Sequence, residues 1–338
     1  MGPPSKVLLS LADAPAEALA FIERLLQEPV VDPREPPRLE ELKPQLREGK
    51  KPGWLWLGPG DEAIALLFDL GAPIGHRVRV LLGPGYRTRS ACSGLLELLE
   101  RAAAPLVALR FLGPGLDLPT AVEVLEPAGF RYLLRVDLER SLEDEVPEGA
   151  PEPGLVLREI LPQDADRLAV LLDRAYSTDP YDRVMFQEKI DAVEDARASV
   201  TDLLAGRYGP WIAPASLVAE RGGRFEATVF CVLNDGALVA ELLVDPSCRR
   251  RGLGRLLLHA AMRRLRAAGH PRVRLVYTGP NRPARELYAS LGFAPPDPPE
   301  IGGEWVHVGR LGHPEIEQEL LTASVPRPGG SPARRAAP

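Results

Sequence analysis

The chain has 338 residues, of which 45% are hydrophobic and 26% charged, the composition of a soluble globular protein long enough for two domains with separate cores. A formal net charge of −6 argues against a general attraction to nucleic acid or to an anionic membrane surface. Cys92, Cys231 and Cys248 lack C-x-x-C spacing, which argues against a zinc site or a disulfide framework and fits a cytoplasmic setting. The apolar stretch at residues 7–12 is too short and too polar for a signal peptide, and no apolar run approaches the length of a membrane helix.

In chain order, apolar periodicity predicts helices at 14–28 and 37–48, then strands at 54–58, 61–69 and 77–83. A helix over about 90–103, a strand over 105–112, a helix over 119–127 and a strand over 130–139 complete the first half. Residues 141–154 carry acidic residues and three prolines with no apolar period, and read as a linker. The pattern then restarts with a strand at 155–160 and a helix opened by Pro162 that runs to about Tyr176. Residues 177–208 are polar, with weaker helical periodicity. Strands at 216–220, 226–233 and 237–244 form a meander, with hairpin signals at Gly222-Gly223 and Asn234-Asp235-Gly236. A helix over 252–268 presents Leu256, Leu257, Ala260, Ala261 and Leu265 at helical spacing. A strand at 272–277, a helix at 282–291 and terminal strands near 293–310 follow, and residues 313–338 read as a disordered tail rich in Pro, Gly, Arg and Ala.

The halves repeat one another. Leu81-Leu-Gly-Pro84-Gly-Tyr-Arg87 lies over Leu243-Val-Asp-Pro246-Ser-Cys-Arg249, and Leu125-Glu-Pro-Ala-Gly129-Phe130 over Tyr288-Ala-Ser-Leu-Gly292-Phe293. Under that alignment Gly252 and Gly254 become Ser90 and Cys92, Asn281 becomes Leu118 and Tyr288 becomes Leu125.

The run from Val244 to Gly254 puts a glycine-containing turn at a helix start. Unpaired N–H groups and the positive end of the dipole there can hold a pyrophosphate. Gly252 and Gly254 lack a Cβ and let phosphates approach the backbone, while Arg249, Arg250 and Arg251 add a cationic rim. There is no G-x-x-x-x-G-K-[ST], and the third glycine and downstream acid of a dinucleotide fingerprint are missing. Together with Asn281-x-x-Ala284-x-x-Leu287-Tyr288-x-x-x-Gly292-Phe293, this run resembles the acetyl-coenzyme A site of the GNAT N-acetyltransferase superfamily. The resemblance implies an α/β (α+β) fold class: two tandem GNAT folds, each a mixed, mostly antiparallel twisted sheet flanked by helices. Residues 1–140 would be a degenerate copy and residues 155–312 the catalytic one. The layout is similar to that of mycothiol synthase, in which the C-terminal copy is catalytic.

The same resemblance implies acetyl-CoA as co-substrate, no metal, and direct attack by a primary amine in a ternary complex. The backbone N–H groups of Leu242, Leu243 and Val244, on a splayed fourth strand, would pair with pantetheine and polarise the thioester carbonyl. Those from Arg250 through Leu253 and Gly254 to Arg255 would meet the pyrophosphate. Asn281 would bind coenzyme A or hold the loop. Tyr288 matches the superfamily tyrosine that protonates the leaving sulfur, against the plainer reading of a tyrosine packed on the last helix's apolar face.

The base is less defined. Leu238 and Val276 stand where relatives carry a carboxylate, and Glu241 is the one carboxylate within the fourth strand. In a regular strand Glu241 would share a face with Val239 and Leu243, opposite Leu238, and a bulge would change that parity. An ion pair or a solvent-facing Glu241 is the competing reading, and water-mediated deprotonation needs no side-chain base. Tyr181, Asp182 and Glu220 are weaker candidates. Tyr176, Tyr181 and Asp182 fall in the acceptor wall of the resembled fold, and Trp211 and Trp305 line either an acceptor pocket or a core. His259 and the other histidines form no metal motif. The acceptor would be a small-molecule amine or a protein N-terminus or lysine, with the protein a monomer or homodimer. Two other readings stand: a mycothiol-synthase-like enzyme, from which an expected strand-four Glu is missing, and a non-catalytic acyl-CoA-binding protein.

Overall fold

The computed structural model describes residues 7–10, 20, 53–58, 63–69, 76–101, 105–111, 116–149, 151–178, 193–296, 301–312 and 314–322. Its strands are β1 (Val7–Ser10), β2 (Gly53–Leu57), β3 (Ala63–Asp69), β4 (His76–Leu82), β5 (Leu106–Phe111), β6 (Phe130–Ser141), β7 (Val156–Glu159), β8 (Leu217–Arg221), β9 (Arg224–Leu233), β10 (Ala237–Val244), β11 (Arg272–Thr278) and β12 (Ile301–His307). Its helices are α1 (Arg89–Leu99), α2 (Leu118–Leu125), α3 (Ala165–Ser177), α4 (Val193–Leu204), α5 (Leu253–Ala267), α6 (Arg282–Ser290) and α7 (Pro314–Thr322). No helix among the described residues is long and apolar enough to cross a membrane. The chain divides into two compact units, residues 1–133 with 303–338, and residues 134–302.

In the first unit β1 to β4 are antiparallel neighbours, β5 lies parallel to β4, and β12 lies antiparallel to β5. Val78 and Val80 of β4 alternate into one core, which also takes Leu106 and Leu109 of β5, Leu95 of α1 and Leu125 of α2. The helices predicted at 14–28 and 37–48 lie outside the described residues, apart from Ala20, which is helical.

In the second unit β7, β8, β9 and β10 form an antiparallel meander, β10 runs parallel to β11, and residues 135–141 of β6 run antiparallel to β11. Both faces of this sheet are covered, so β9 is buried along nearly its whole length. One core collects Leu257, Leu258 and Ala261 of α5 with Val273 and Leu275. The other collects Leu168 and Leu172 of α3 and Val200 of α4 with Phe230 and Leu243. Asp164 sets the start of α3 by accepting from Leu161 N at 2.8 Å and pairing with Arg158 at 2.7 Å.

Two expectations change. The sheet partner expected from residues 293–310 is instead supplied by β6, while β12 joins the first unit's sheet, where Trp305 is buried. β6 alternates apolar and charged residues along most of its length, and β12 offers Trp305 and Val306. Val136 and Leu138 fit the core under α5, and Trp305 fits the core under α1. Local patterning does not say which sheet edge a strand will cover. The second correction is α7, a helix in the stretch read as a tail, which buries Ile316 and Leu320 four residues apart.

Candidate active site

β10 carries the decisive irregularity. Its pairing with β9 shifts between Val239 and Glu241, a bulge at Ala240. Before the bulge Val239 packs in the α5–α6 core and Leu238 toward α3 and α4; after it, Leu242 and Val244 pack toward α5 and Leu243 toward α3. Glu241 therefore shares a face with Leu238 and Leu243, opposite Val239. On that face Tyr176 Oη of α3 donates to Glu241 Oε2 at 2.7 Å. The bulge also ends a pairing: β10 meets β11 only at Ala237, Leu238 and Val239, while its pairing with β9 continues to Val244. From Ala240 onward the two parallel strands are splayed, and alternate backbone groups on this edge of β10 turn toward the opening.

The chain leaves β10 through Asp245 and a 3₁₀ turn at Pro246–Cys248, and α5 opens at Leu253. Asp245 is 1% exposed and accepts from Ser247 N at 3.0 Å, Ser247 Oγ at 2.6 Å and Arg224 Nη2 at 2.7 Å, with Arg174 3.2 Å away. Burial raises its pKa, but the Ser247 and Arg224 hydrogen bonds and the Arg174 charge outweigh that and hold the carboxyl below its ordinary range. The Asp-Pro-Ser sequence is a turn signal that could have singled out Asp245.

Gly252 caps α5 in the left-handed region, φ 79°, with no side-chain cap on the helix's first N–H groups. A Cβ there would meet nothing within 4 Å, so the glycine serves the backbone conformation. Gly254 has a different reason. A Cβ at Gly254 would lie 3.3 Å from Leu287 and 3.8 Å from Leu242 and Val244, so its bareness seats α5 against β10 and α6. The arginines form less of a rim than their sequence suggests. Arg249 Nη2 donates to Ala175 O at 3.0 Å, Arg251 pairs with Glu152 and Glu226, and Arg255 Nη2 donates to Ser290 Oγ at 2.7 Å. Arg250 is exposed and has a positive φ of 64°.

Asn281 is the N-cap of α6, accepting from Ala284 N at 3.1 Å, and its own N–H bonds Thr278 O at 2.8 Å. It holds the turn between β11 and α6. Tyr288, in the last turn of α6, is 8% exposed, with its ring 5.9 Å from that of Tyr277 and 6.0 Å from that of Phe293. It belongs to the α5–α6 core, whereas Glu241 faces α3. The two side chains thus lie on opposite faces of the sheet whose opening Leu242, Leu243 and Val244 border.

The remaining candidates fall elsewhere. Glu220 is bound by Arg167 at 2.7 Å and Arg158 at 2.9 Å, which hold it below the usual carboxylate range and make it a structural partner, not a base. Trp211 stacks on Phe230 beside α3, and Trp305 is core in the other unit. His259 has its pKa lowered by burial and by nearby arginines. Tyr181 and Asp182 lie outside the described residues. Among the described residues no three His, Cys, Asp or Glu side chains cluster as a metal site. Sequence reasoning missed the pairing of Tyr176 with Glu241, because only the bulge turns that carboxylate toward α3.

Comparison with known proteins agrees with this architecture. The Acetyltransferase (GNAT) family model matches residues 181–293. A mycothiol acetyltransferase of Thermomonospora curvata is 32% identical over 226 residues, 65% of this chain and 70% of that protein. One from Thermobispora bispora is 31% identical over 274 residues, 76% of this chain and 86% of that protein. Among solved structures, a GCN5-related N-acetyltransferase from Sphaerobacter thermophilus superposes with TM-score 0.54 at 17% identity, covering 90% of this chain and 95% of that one. A tandem GNAT protein from the clavulanic acid biosynthesis pathway superposes with TM-score 0.51 at 18% identity, over 90% of this chain and 97% of that one. The chain therefore belongs to the GNAT acetyltransferase family and is an N-acetyltransferase with a tandem relative among its structural neighbours.

Proposed function

We propose that residues 134–302 transfer an acetyl group from acetyl-CoA to a primary amine of a small molecule. The observation that carries this reading is the splay of β10 from β11 beginning at the Ala240 bulge, beside a helix start that no side chain caps. The N–H groups of Arg250 to Arg255 suit a pyrophosphate, with the dipole of α5 behind them. Backbone donors from Leu242 to Val244 suit the pantetheine and the thioester carbonyl, because they are held by β9 and need no ordering when charge develops on the oxygen. The amine nitrogen attacks the carbonyl carbon and the C–S bond breaks. The amine's proton passes to Glu241 from the α3 face, and Tyr288 gives its proton to the sulfur from the α5–α6 face.

The acceptor follows the relatives. Several are named mycothiol acetyltransferases, so a small-molecule acceptor of the mycothiol type is the first amine to try. Thioester consumption against a panel of amines tests the reading. Tyr288→Phe is expected to lower kcat by about a hundredfold with little change in the acetyl-CoA KM. Coenzyme A binding without turnover on any amine, and no effect of Tyr288→Phe, would instead favour a binding protein. Failure to bind coenzyme A would sink both.

A further inference from the structure

The last turn of α3 joins three features that the sequence keeps far apart. Arg174 pairs with Asp245 at 3.2 Å, where the phosphate-side loop leaves β10. The next carbonyl, that of Ala175, accepts from Arg249 at 3.0 Å, and Arg249 directly follows the 3₁₀ turn of the same loop. The next residue, Tyr176, donates to Glu241 at 2.7 Å. Three consecutive residues thus grip the residues on either side of the 3₁₀ turn and the carboxylate on the splayed strand. Tyr176 is 7% exposed, with its ring packed among Leu172, Val200 and Leu243, so its hydroxyl is held by a rigid core and not by a mobile side chain.

A single carboxylate on a bulged strand has several rotamers. A phenol fixed at hydrogen-bond distance selects one of them, and a hydrogen bond to an ionised oxygen is among the stronger kinds. We infer that Tyr176 is the positioning residue for Glu241, and that the α3 turn from Arg174 to Tyr176 keeps this carboxylate in register with the loop that receives the pyrophosphate. The inference rests on the proposed function, in which Glu241 takes the amine's proton. Tyr176 does not itself touch the reacting atoms; it acts through Glu241.

The test is a double-mutant cycle on the full chain, using thioester consumption with the best amine of the panel. Glu241→Gln alone is expected to lower kcat by about a hundredfold. Tyr176→Phe keeps the ring and removes only the hydroxyl; it is expected to lower kcat by about tenfold while the acetyl-CoA KM stays within about twofold. In the Glu241→Gln background, Tyr176→Phe should cost almost nothing further, because the group it positions is gone. Thermal melts of each variant show whether the fold survives, and a loss that tracks melting temperature instead of Glu241 would assign Tyr176 to the core alone. Multiplicative losses in the double variant overturn the inference but leave Glu241 as base. Full activity of Glu241→Gln overturns the inference and the base assignment together, while Tyr288→Phe still reports on the acetyltransferase reading.

Discussion

In the second unit α5 opens at Leu253 under a left-handed Gly252, and no side chain caps its first N–H groups. In the first unit α1 opens at Arg89, and Thr88 Oγ1 accepts from Ala91 N at 3.3 Å. The turns just upstream match closely. Pro84–Tyr86 and Pro246–Cys248 are both 3₁₀ turns, closed by Tyr86 N to Gly83 O and by Cys248 N to Asp245 O, each at 2.8 Å. The same scaffold therefore ends in a helix start occupied by its own hydroxyl in one unit and left open in the other. A capped helix needs no anion, while an open one lacks partners for groups that a phosphate can satisfy.

The strands differ in the same sense. β4 and β5 pair in parallel from His76 to Val80, five residues, whereas β10 and β11 pair over three. Aligned on the shared proline, Val80 corresponds to Leu242, so the first unit stays zipped where the second has opened. Arg79 stands where the second unit has Glu241. An opening between strands and a carboxylate beside it thus occur together in one unit and are both missing from the other. This supports, from geometry, the proposal that only the second unit works on acetyl-CoA.

The comparison can be broken most sharply by stoichiometry. Calorimetry on the full chain is expected to give one acetyl-CoA site per chain, and a second saturable site would end the distinction. Next in size is Asp245, whose place in the first unit is taken by Gly83. Asp245→Asn is expected to cost about 2 kcal/mol at pH 7 in denaturant melts, because its hydrogen bonds to Arg224 and Ser247 weaken. The sign with pH follows from the lowered folded-state pKa of Asp245. Its contribution is complete above the unfolded value of about 4 and is lost as pH falls through the folded value, so wild type and variant should converge in acid.

Gly252→Ala is expected to cost about 1 kcal/mol through the left-handed backbone and to raise the acetyl-CoA KM several-fold; Ser90→Ala, at the aligned position, should leave that KM unchanged. The smallest effect belongs to Thr88→Ala. Losing the cap should lower stability by about 1 kcal/mol or less without touching activity, and an altered acetyl-CoA KM would mean that the first unit's helix start is also used.

Much of this was legible in the chain itself. The meander from Leu217 to Val244, the helix after Gly252 and the strand and helix up to Ser290 follow from alternation, hairpin glycines and helical period. The repeat was legible too, because proline turns and left-handed glycines are local devices: Gly129 and Gly292, at φ 89° and 79°, end matching helices. One correspondence shifts. The cap matching Asn281 is Asp117, which accepts from Thr120 N at 2.9 Å, not Leu118, since the stretch from cap to glycine is one residue longer in the first unit.

What the sequence by itself determined is most of the described elements, with β1 and α7 the exceptions, their order, and the loop whose glycines and arginines resemble the family's. Each depends on neighbours within a turn or a hairpin, where backbone preference and periodicity act directly. Only the tertiary structure decided that β6 and β12 each cover the other half's sheet, that Arg249 and Arg251 are spent on Ala175 O, Glu152 and Glu226, and that Glu241 faces Tyr176. Those outcomes turn on a one-residue bulge and on which exposed edge fits which core. Both are set by contacts between residues far apart in the chain, which no local pattern encodes.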